Sequence, residues 1–185
     1  MYIKDIIYAA NDGIITTFAV VSGVAGASLS PAIVLILGMA NLLADGFSMA
    51  VSNYLGTKSE KEYLKRQNGN ININKNEYSS STKKITLERG GSWQPEAALK
   101  ASALTFASFV SAGFLPLIPY MILEGANVFW ISVASTAIAL FFVGSFRAFY
   151  TGKNWFFSGF EMLSVGGLAA IIAYIVGALI KIWVG

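Results

Sequence analysis

The stretch "ANLLADGFSMAVSNYLG", Ala40 to Gly56, is the most informative about the fold, because it contains polar side chains within a segment that is apolar enough to span a bilayer. A carboxylate at the centre of a membrane helix costs roughly 2.5–3.5 kcal/mol on insertion scales. On a helix that turns by about 100° per residue, the polar residues share one face: Asp45, Ser48, Met49 and Ser52, with Asn53 at its edge. The stretch therefore predicts a membrane helix whose polar face serves a charged partner.

The composition of the whole chain agrees with this prediction. Hydrophobic residues make up 55% of the 185 residues and charged residues 12%, and the mean hydropathy is +0.61. A soluble domain would be about 25% charged. The net charge of +3 comes mostly from one polar stretch. This uneven distribution is typical of a membrane protein with basic residues on one side of the bilayer, and it argues against binding of nucleic acid. The sequence predicts an all-α integral membrane protein.

Five segments are long enough to cross a hydrocarbon core of about 30 Å, which requires roughly 20 apolar residues. We expect spans from Asp5 or Asn11 to Leu29, Pro31 to about Leu55, Glu96 to Leu123, Val128 to Phe149, and Phe160 to Trp183. Together they predict a single five-helix membrane domain over residues 1–185. Prolines suit the first turn of a helix and kink its interior, so we place helix starts at Pro31 and Pro95 and a kink at Pro116 and Pro119.

A polar stretch, residues 58–94, separates the second span from the third. Its first part, to about Arg66, is predicted to extend the second helix, and the remainder to form a flexible loop. Nine of the 13 Lys and Arg residues lie between Lys58 and Lys100. Because cytoplasmic loops carry the excess of Lys and Arg, we place the stretch and the N-terminus in the cytoplasm and the C-terminus outside. We expect a multi-pass protein of the cell membrane.

The chain has no His and no Cys, so metal or proton chemistry would need carboxylates, amides, hydroxyls and thioethers. The first span has its own polar face, with Asp12 beside Asp5 and Thr16. Two carboxylates neutralise a divalent cation, and the Met49 sulfur favours transition ions over Mg²⁺ or Ca²⁺. Alternatively, Met49 fills the core and Asp45 binds neighbouring backbone.

Two further features allow more than one interpretation. Glu161 begins the last predicted helix, where it would be favoured by the helix dipole or accept protons at the mouth of a path. Small residues four apart let membrane helices approach closely, either within one bundle or between two copies in a homodimer. These pairs are Ser22 and Gly26, Gly46 and Ala50, and Gly166 and Ala170.

Four motifs resemble the vacuolar iron transporter family: "NDGIITTFAVVSGVAGA", "ILGMANLLADGFSMAVSNYLGTKSEKEY", "GFLPLIPY" and "GFEMLSVGGLAAIIAYIVG". The resemblance implies a five-helix homodimer with an ion path between its subunits, which moves Fe²⁺ and often Mn²⁺ out of the cytosol in exchange for protons. It implies that Asp12 and Met49 line this path at mid-membrane. Asp45, Asn53 and Glu161 also occupy motif positions.

The polar stretch departs from the resemblance. Eukaryotic members have a cytosolic helical domain there, in which clustered Glu and Met collect metal. This chain offers only Glu60, Glu62, Glu77 and Glu88 among Asn, Ser and Lys. We therefore expect a prokaryotic member that lacks the metal-collecting domain and has a short replacement.

The hypothesis from sequence is a proton-driven Fe²⁺/Mn²⁺ exporter for metal homeostasis and detoxification, with no cofactor beyond the transported ion. Its predicted metal ligands are Asp12, Met49, Asp45 and Asn53, and Glu161 is predicted to couple protons. The expected partners are divalent metal ions, protons, membrane lipid and a second copy of the chain, and not nucleic acid. An intramembrane aspartyl protease would have a Gly-x-Gly-Asp order that this chain lacks, so no enzyme is predicted. The alternative is a non-transporting scaffold or metal sensor.

Overall fold

The computed structural model describes residues 3–71 (side chains to residue 67), 94–125 and 127–184, and this part of the chain is helical. The helices are α1 (Ile3–Gly26), α2 (Pro31–Ile71), α3 (Pro95–Gly113), α4 (Ile118–Ile122), α5 (Val128–Thr151) and α6 (Trp155–Val184). A 3₁₀ turn, Leu115–Leu117, joins α3 to α4, and these three elements form one span. Five spans are therefore long and apolar enough to cross a membrane. The predicted all-α, five-helix membrane fold is confirmed.

Helix α1 lies at the centre of the bundle, in contact with α2, α3, α5 and α6. Glycines allow two of these contacts to be unusually close. A Cβ atom on Gly13 would collide with the backbone carbonyl of Phe109 in α3, and one on Gly26 with that of Tyr174 in α6. Such contacts stabilise helix association in lipid, where dispersion between closely packed backbones replaces the hydrophobic effect. They fix the position of α1, and with it that of Asp12.

The small-residue pairs pack within the chain at their glycines. Gly26 meets α6, Gly46 lies against Phe106 and Val110 of α3, and Gly166 lies against Leu140 of α5. These three glycines therefore serve the bundle itself. The pairs give no separate support for contact between two copies.

The prolines act as predicted. Helices α2 and α3 begin at Pro31 and Pro95. The third span changes from α-helix to a 3₁₀ turn at Leu115–Leu117 before α4. There the hydroxyl of Ser132 in α5 donates to the backbone carbonyl of Pro116 over 2.7 Å. The hydrogen bond satisfies a carbonyl at the helix break and ties the kink to α5.

Two helix boundaries bear on function. The extension of the second helix was predicted to end at about Arg66, and helix α2 continues five residues further, to Ile71. The rest of the predicted loop, residues 72–93, lies outside the described residues. Helix α6 begins at Trp155, five residues before the predicted start, because Asn154 Oδ1 accepts from the Phe156 backbone N–H over 3.1 Å and caps the helix. Glu161 therefore lies in the second turn, and the interpretation as a helix-start carboxylate is wrong.

Helix α2 lies at one edge of the bundle. It packs on α1, α3, the 3₁₀ turn and α4, and within the described ranges it contacts neither α5 nor α6. Large apolar side chains therefore remain exposed along its outer face, among them Ile36, Leu43 and Phe47. The same helix carries the polar face that was predicted from sequence.

Candidate functional site

A cavity of about 660 Å³ lies between α1 and α2 and is bordered by α3. Its lining residues are Lys4, Asp5, Tyr8 and Asp12 from α1, Asp45, Ser48, Met49, Ser52 and Asn53 from α2, and Thr105 from α3. The cavity thus brings together all four residues that were predicted as metal ligands. The two polar faces read from sequence meet in one place.

Three carboxylates line the cavity: that of Asp5 near the start of α1, and those of the pair Asp12 and Asp45. Both residues of the pair are half-buried, and both line the same cavity. Two like charges in a poorly solvated site raise each other's electrostatic energy, so a divalent cation between them would relieve the repulsion. Thr16, which shares the Asp12 face in sequence, instead donates to the backbone carbonyl of Asp12 over 2.8 Å. It does not line the cavity.

The Met49 side chain is placed in the core packing and on the cavity wall at once, two positions that the sequence presented as alternatives. Its side chain is half-buried and packs against the hydrophobic core, which includes Phe18, Leu42 and Phe109. It also lines the cavity. A thioether is a soft, polarizable donor as well as an adaptable core group. Packing can therefore hold this side chain against a wall where a cation would pass.

Asn53 is joined to α3 by a side-chain hydrogen bond. Its Nδ2 donates to Thr105 Oγ1 over 2.9 Å, and Thr105 Oγ1 lies 3.0 Å from the backbone carbonyl of Ala101. The sequence interpretation did not include Thr105. Its signal was weak, because hydroxyls inside membrane helices commonly bond to the carbonyl four residues earlier, and this one does so as well.

The sequence model of the VIT family matches residues 3–84 and 73–178. The chain belongs to the VIT family. Curated proteins similar to it include vacuolar iron transporter 1 of Arabidopsis thaliana, 27% identical over 97% of this chain and 86% of the relative. Vacuolar iron transporter 1 of Oryza sativa subsp. japonica is 29% identical over 93% and 82%, and the vacuolar iron transporter of Plasmodium berghei is 28% identical over 97% and 82%.

All ten cavity-lining residues of this VIT-family chain fall within the matched ranges. Across residues 3–71, 94–125 and 127–184, no three His, Cys, Asp or Glu side chains group closely enough to hold a metal ion. One chain therefore offers the Asp12–Asp45 pair, with hydroxyl, amide and thioether groups around it. A cation there would need these neutral ligands, water, or groups from another chain.

Glu161 lies outside this cavity, in the contact between α5 and α6. Arg147 Nη2 donates to Glu161 Oε2 over 3.3 Å, and Arg147 Nη1 lies 3.7 Å from the sulfur of Met162. Sequence reasoning did not find the pair of Arg147 and Glu161. The structure does not bring Glu161 together with Asp12, Asp45, Met49 and Asn53, and its role in proton coupling stays a prediction.

Proposed function

We propose that this VIT-family protein transports Fe²⁺, and also Mn²⁺, out of the cytosol across the cell membrane. One observation carries the proposal: a single cavity in a five-span protein gathers Asp12, Asp45, Met49 and Asn53. Relatives that align over most of both chains are named vacuolar iron transporters. The name supports iron as the substrate, and the cavity supports a pathway for a divalent cation.

The ligand chemistry favours first-row transition ions. The two carboxylates balance the charge of M²⁺, and the hydroxyls of Ser48 and Ser52 are hard oxygen donors on the same wall. Hard oxygen ligands alone would also accept Mg²⁺ and Ca²⁺. The sulfur of Met49 adds a soft donor, which shifts the preference toward Fe²⁺ and its neighbours.

We place the complete pathway between two copies of the chain. Among the described residues of one copy, no three His, Cys, Asp or Glu side chains group closely enough to hold a metal ion. Helix α2, which forms one cavity wall, stands at the bundle edge with Phe47 exposed. A second copy facing this edge would add its own Asp12, Asp45 and Met49 to the cavity and cover the exposed apolar side chains.

Export would be driven by protons that compete with the metal for the same carboxylate oxygens. With the N-terminus in the cytoplasm, as the distribution of Lys and Arg favours, Fe²⁺ would enter from the cytosolic side. Protonation of Asp12 and Asp45 on the outer side would release it. Two protons replace the charge of one divalent cation, so the carboxylate pair alternates between two neutral states.

Purified protein in liposomes tests this function directly. We expect uptake of Fe²⁺ and Mn²⁺ that accelerates when the vesicle interior is acidic, and no comparable uptake of Mg²⁺ or Ca²⁺. Asp12→Ala should reduce flux to that of empty liposomes, whereas Glu124→Gln, an exposed carboxylate on the α4–α5 link, should transport normally. Wild-type protein that binds Mn²⁺ without moving it would instead indicate the sensor function.

The dimer can be tested because the natural chain contains no Cys. Ser48→Cys places a single thiol on the cavity wall, and Leu168→Cys places one on the exposed face of α6. Under mild oxidation in liposomes, we expect a disulfide-linked dimer from the first variant and monomer from the second. Equal cross-linking of both would count against an interface along α2.

A further inference from the structure

We infer that Thr105 is a positioning residue, which holds the Asn53 side chain with its amide oxygen available to a cation in the cavity. The inference rests on the proposed function, since it concerns how this cavity presents a ligand. Both residues line the cavity, and they reach it from different helices. Thr105 is 2% exposed, so its hydroxyl is effectively withdrawn from water.

The direction of each hydrogen bond follows from the number of protons available. A Thr hydroxyl has one proton to donate and can also accept. The backbone carbonyl of Ala101, 3.0 Å from Thr105 Oγ1, can only accept, so the hydroxyl proton points to it. Toward Asn53 the hydroxyl oxygen can then only accept. Because Nδ2 is the only donor of the Asn53 side chain, Nδ2 must face Thr105.

The opposite orientation of the amide is less favourable. With Oδ1 toward Thr105, the hydroxyl would have to turn its proton from Ala101 to Asn53, and one of the two hydrogen bonds would be lost. A buried polar group that loses a partner costs free energy, here on a residue that is almost fully buried. The Asn53 backbone is held as well, because its carbonyl accepts from Thr57 Oγ1 over 2.8 Å.

The orientation matters because the two ends of an amide act oppositely on a cation. With Nδ2 bound to Thr105, Oδ1 remains as a neutral oxygen ligand, a group that coordinates divalent cations. If the amide rotated, an NH₂ group with its positive partial charge would replace that oxygen. Thr105 therefore acts on the metal through Asn53 and does not itself need to touch it.

Substitution of Thr105 should consequently weaken metal binding and leave the fold intact. Thr105→Val keeps the shape but removes both hydrogen bonds, so the amide can rotate. Loss of a partner that orients a metal ligand typically lowers affinity by about 10–100-fold. We expect the half-saturating Fe²⁺ concentration for flux to rise by about 10-fold, the low end of that range, with little change in the maximal rate. Thr105→Ser keeps the hydroxyl and should restore wild-type behaviour.

A double substitution tests whether Thr105 works through Asn53. Asn53→Ala alone should raise the half-saturating concentration, and adding Thr105→Val to it should cause no further rise. Additive effects, or a Thr105→Ser variant as impaired as Thr105→Val, would overturn the inference. If Thr105→Val does not yield folded dimer, Thr105→Ala in both backgrounds gives the same comparison.

A second measurement separates this inference from the proposed function. Binding of Mn²⁺ to detergent-solubilised protein, followed by electron paramagnetic resonance, does not depend on flux. Wild-type protein that binds Mn²⁺ about 10-fold more tightly than Thr105→Val supports the inference even if no transport occurs. Equal affinities of wild type and Thr105→Val would overturn it even if transport is observed.

Discussion

Two regions of this largely apolar protein carry carboxylates: the cavity between α1 and α2, and the contact between α5 and α6. Only the α5–α6 contact also supplies a cation, the guanidinium group of Arg147. Glu161 is bound by Arg147 on the neighbouring helix. Asp12 and Asp45 line the same cavity, and neither forms an ion pair with any residue that the structure describes. A carboxylate with a built-in cation has its charge partner already, whereas a pair without one can be neutralised by an ion that arrives and leaves.

The two regions also differ in what surrounds the carboxylates. The side chains of Arg147 and Glu161 are 29% and 53% exposed, and Arg147 also lies beside the sulfur of Met162. Asp12 and Asp45 are both only half-buried, yet they stand on a wall that also holds Met49. This contrast underlies our proposal that the α1–α2 cavity binds the metal, and it leaves proton coupling as the predicted role of Glu161 in the α5–α6 contact.

Asp45→Asn gives the largest expected effect that bears on this comparison. The substitution keeps the size of the side chain but leaves a single carboxylate opposite a doubly charged ion. Because removal of a supporting group alone weakens metal sites about 10–100-fold, we expect the half-saturating Fe²⁺ concentration to rise by at least that much. Concentration-dependent flux in liposomes measures this, and an unchanged value would assign Asp45 a purely structural role.

Met49→Leu separates the core packing of Met49 from its proposed contact with the metal. Leu conserves volume, and such exchanges usually cost less than about 1.5 kcal/mol in stability, so packing against the hydrophobic core should survive. Without the sulfur, the preference for Fe²⁺ over Mg²⁺ should fall, since the remaining donors are oxygens. Competition of Mg²⁺ with Fe²⁺ uptake provides the measurement. Retained preference together with lost stability would mean that Met49 is only core.

Glu161→Gln should have a smaller effect of a different kind. Since Glu161 lies outside the cavity, the dependence of flux on metal concentration should stay as in wild type. If Glu161 couples protons, as predicted, the dependence of flux on the pH gradient should weaken severalfold. Flux measured at several gradients decides this, with Arg147→Gln as the matched control that removes the pair but keeps the carboxylate. A gradient dependence equal to that of wild type would leave Glu161 only as a contact between α5 and α6.

Lys4→Gln should give the smallest change. Lys4 is exposed at the cavity, where its positive charge opposes an approaching cation. Exposed charge interactions are worth at most about 1 kcal/mol, so uptake at low metal concentration should increase by no more than about fivefold. The increase should vanish at high ionic strength, because salt screens charges beyond about 10 Å at 0.1 M. An increase that persists in high salt would contradict this explanation.

Much of the candidate site could be predicted from sequence because helical periodicity places residues on faces. The repeat of an α-helix predicted one shared face of α2, which contains Asp45, Ser48, Met49 and Ser52. The cost of placing a carboxylate in a membrane helix identified this face as unusual. Thr105 could not be found in this way, since its hydroxyl resembles any back-bonded hydroxyl in a membrane helix. The Arg147–Glu161 pair was missed because the two residues lie on different helices whose rotation the sequence does not fix.

The sequence alone determined that five apolar helices form this protein, where prolines begin or break them, and that two helices carry polar faces. Length, hydropathy and periodicity are local properties, so they need no knowledge of neighbours. Only the tertiary structure decided that the two faces meet in one cavity, that Asn53 donates a hydrogen bond to Thr105, and that Glu161 lies elsewhere with Arg147. The meeting of the two faces depends on how α1 packs against α3 and α6 through Gly13 and Gly26, because close backbone contact sets the rotation of a helix.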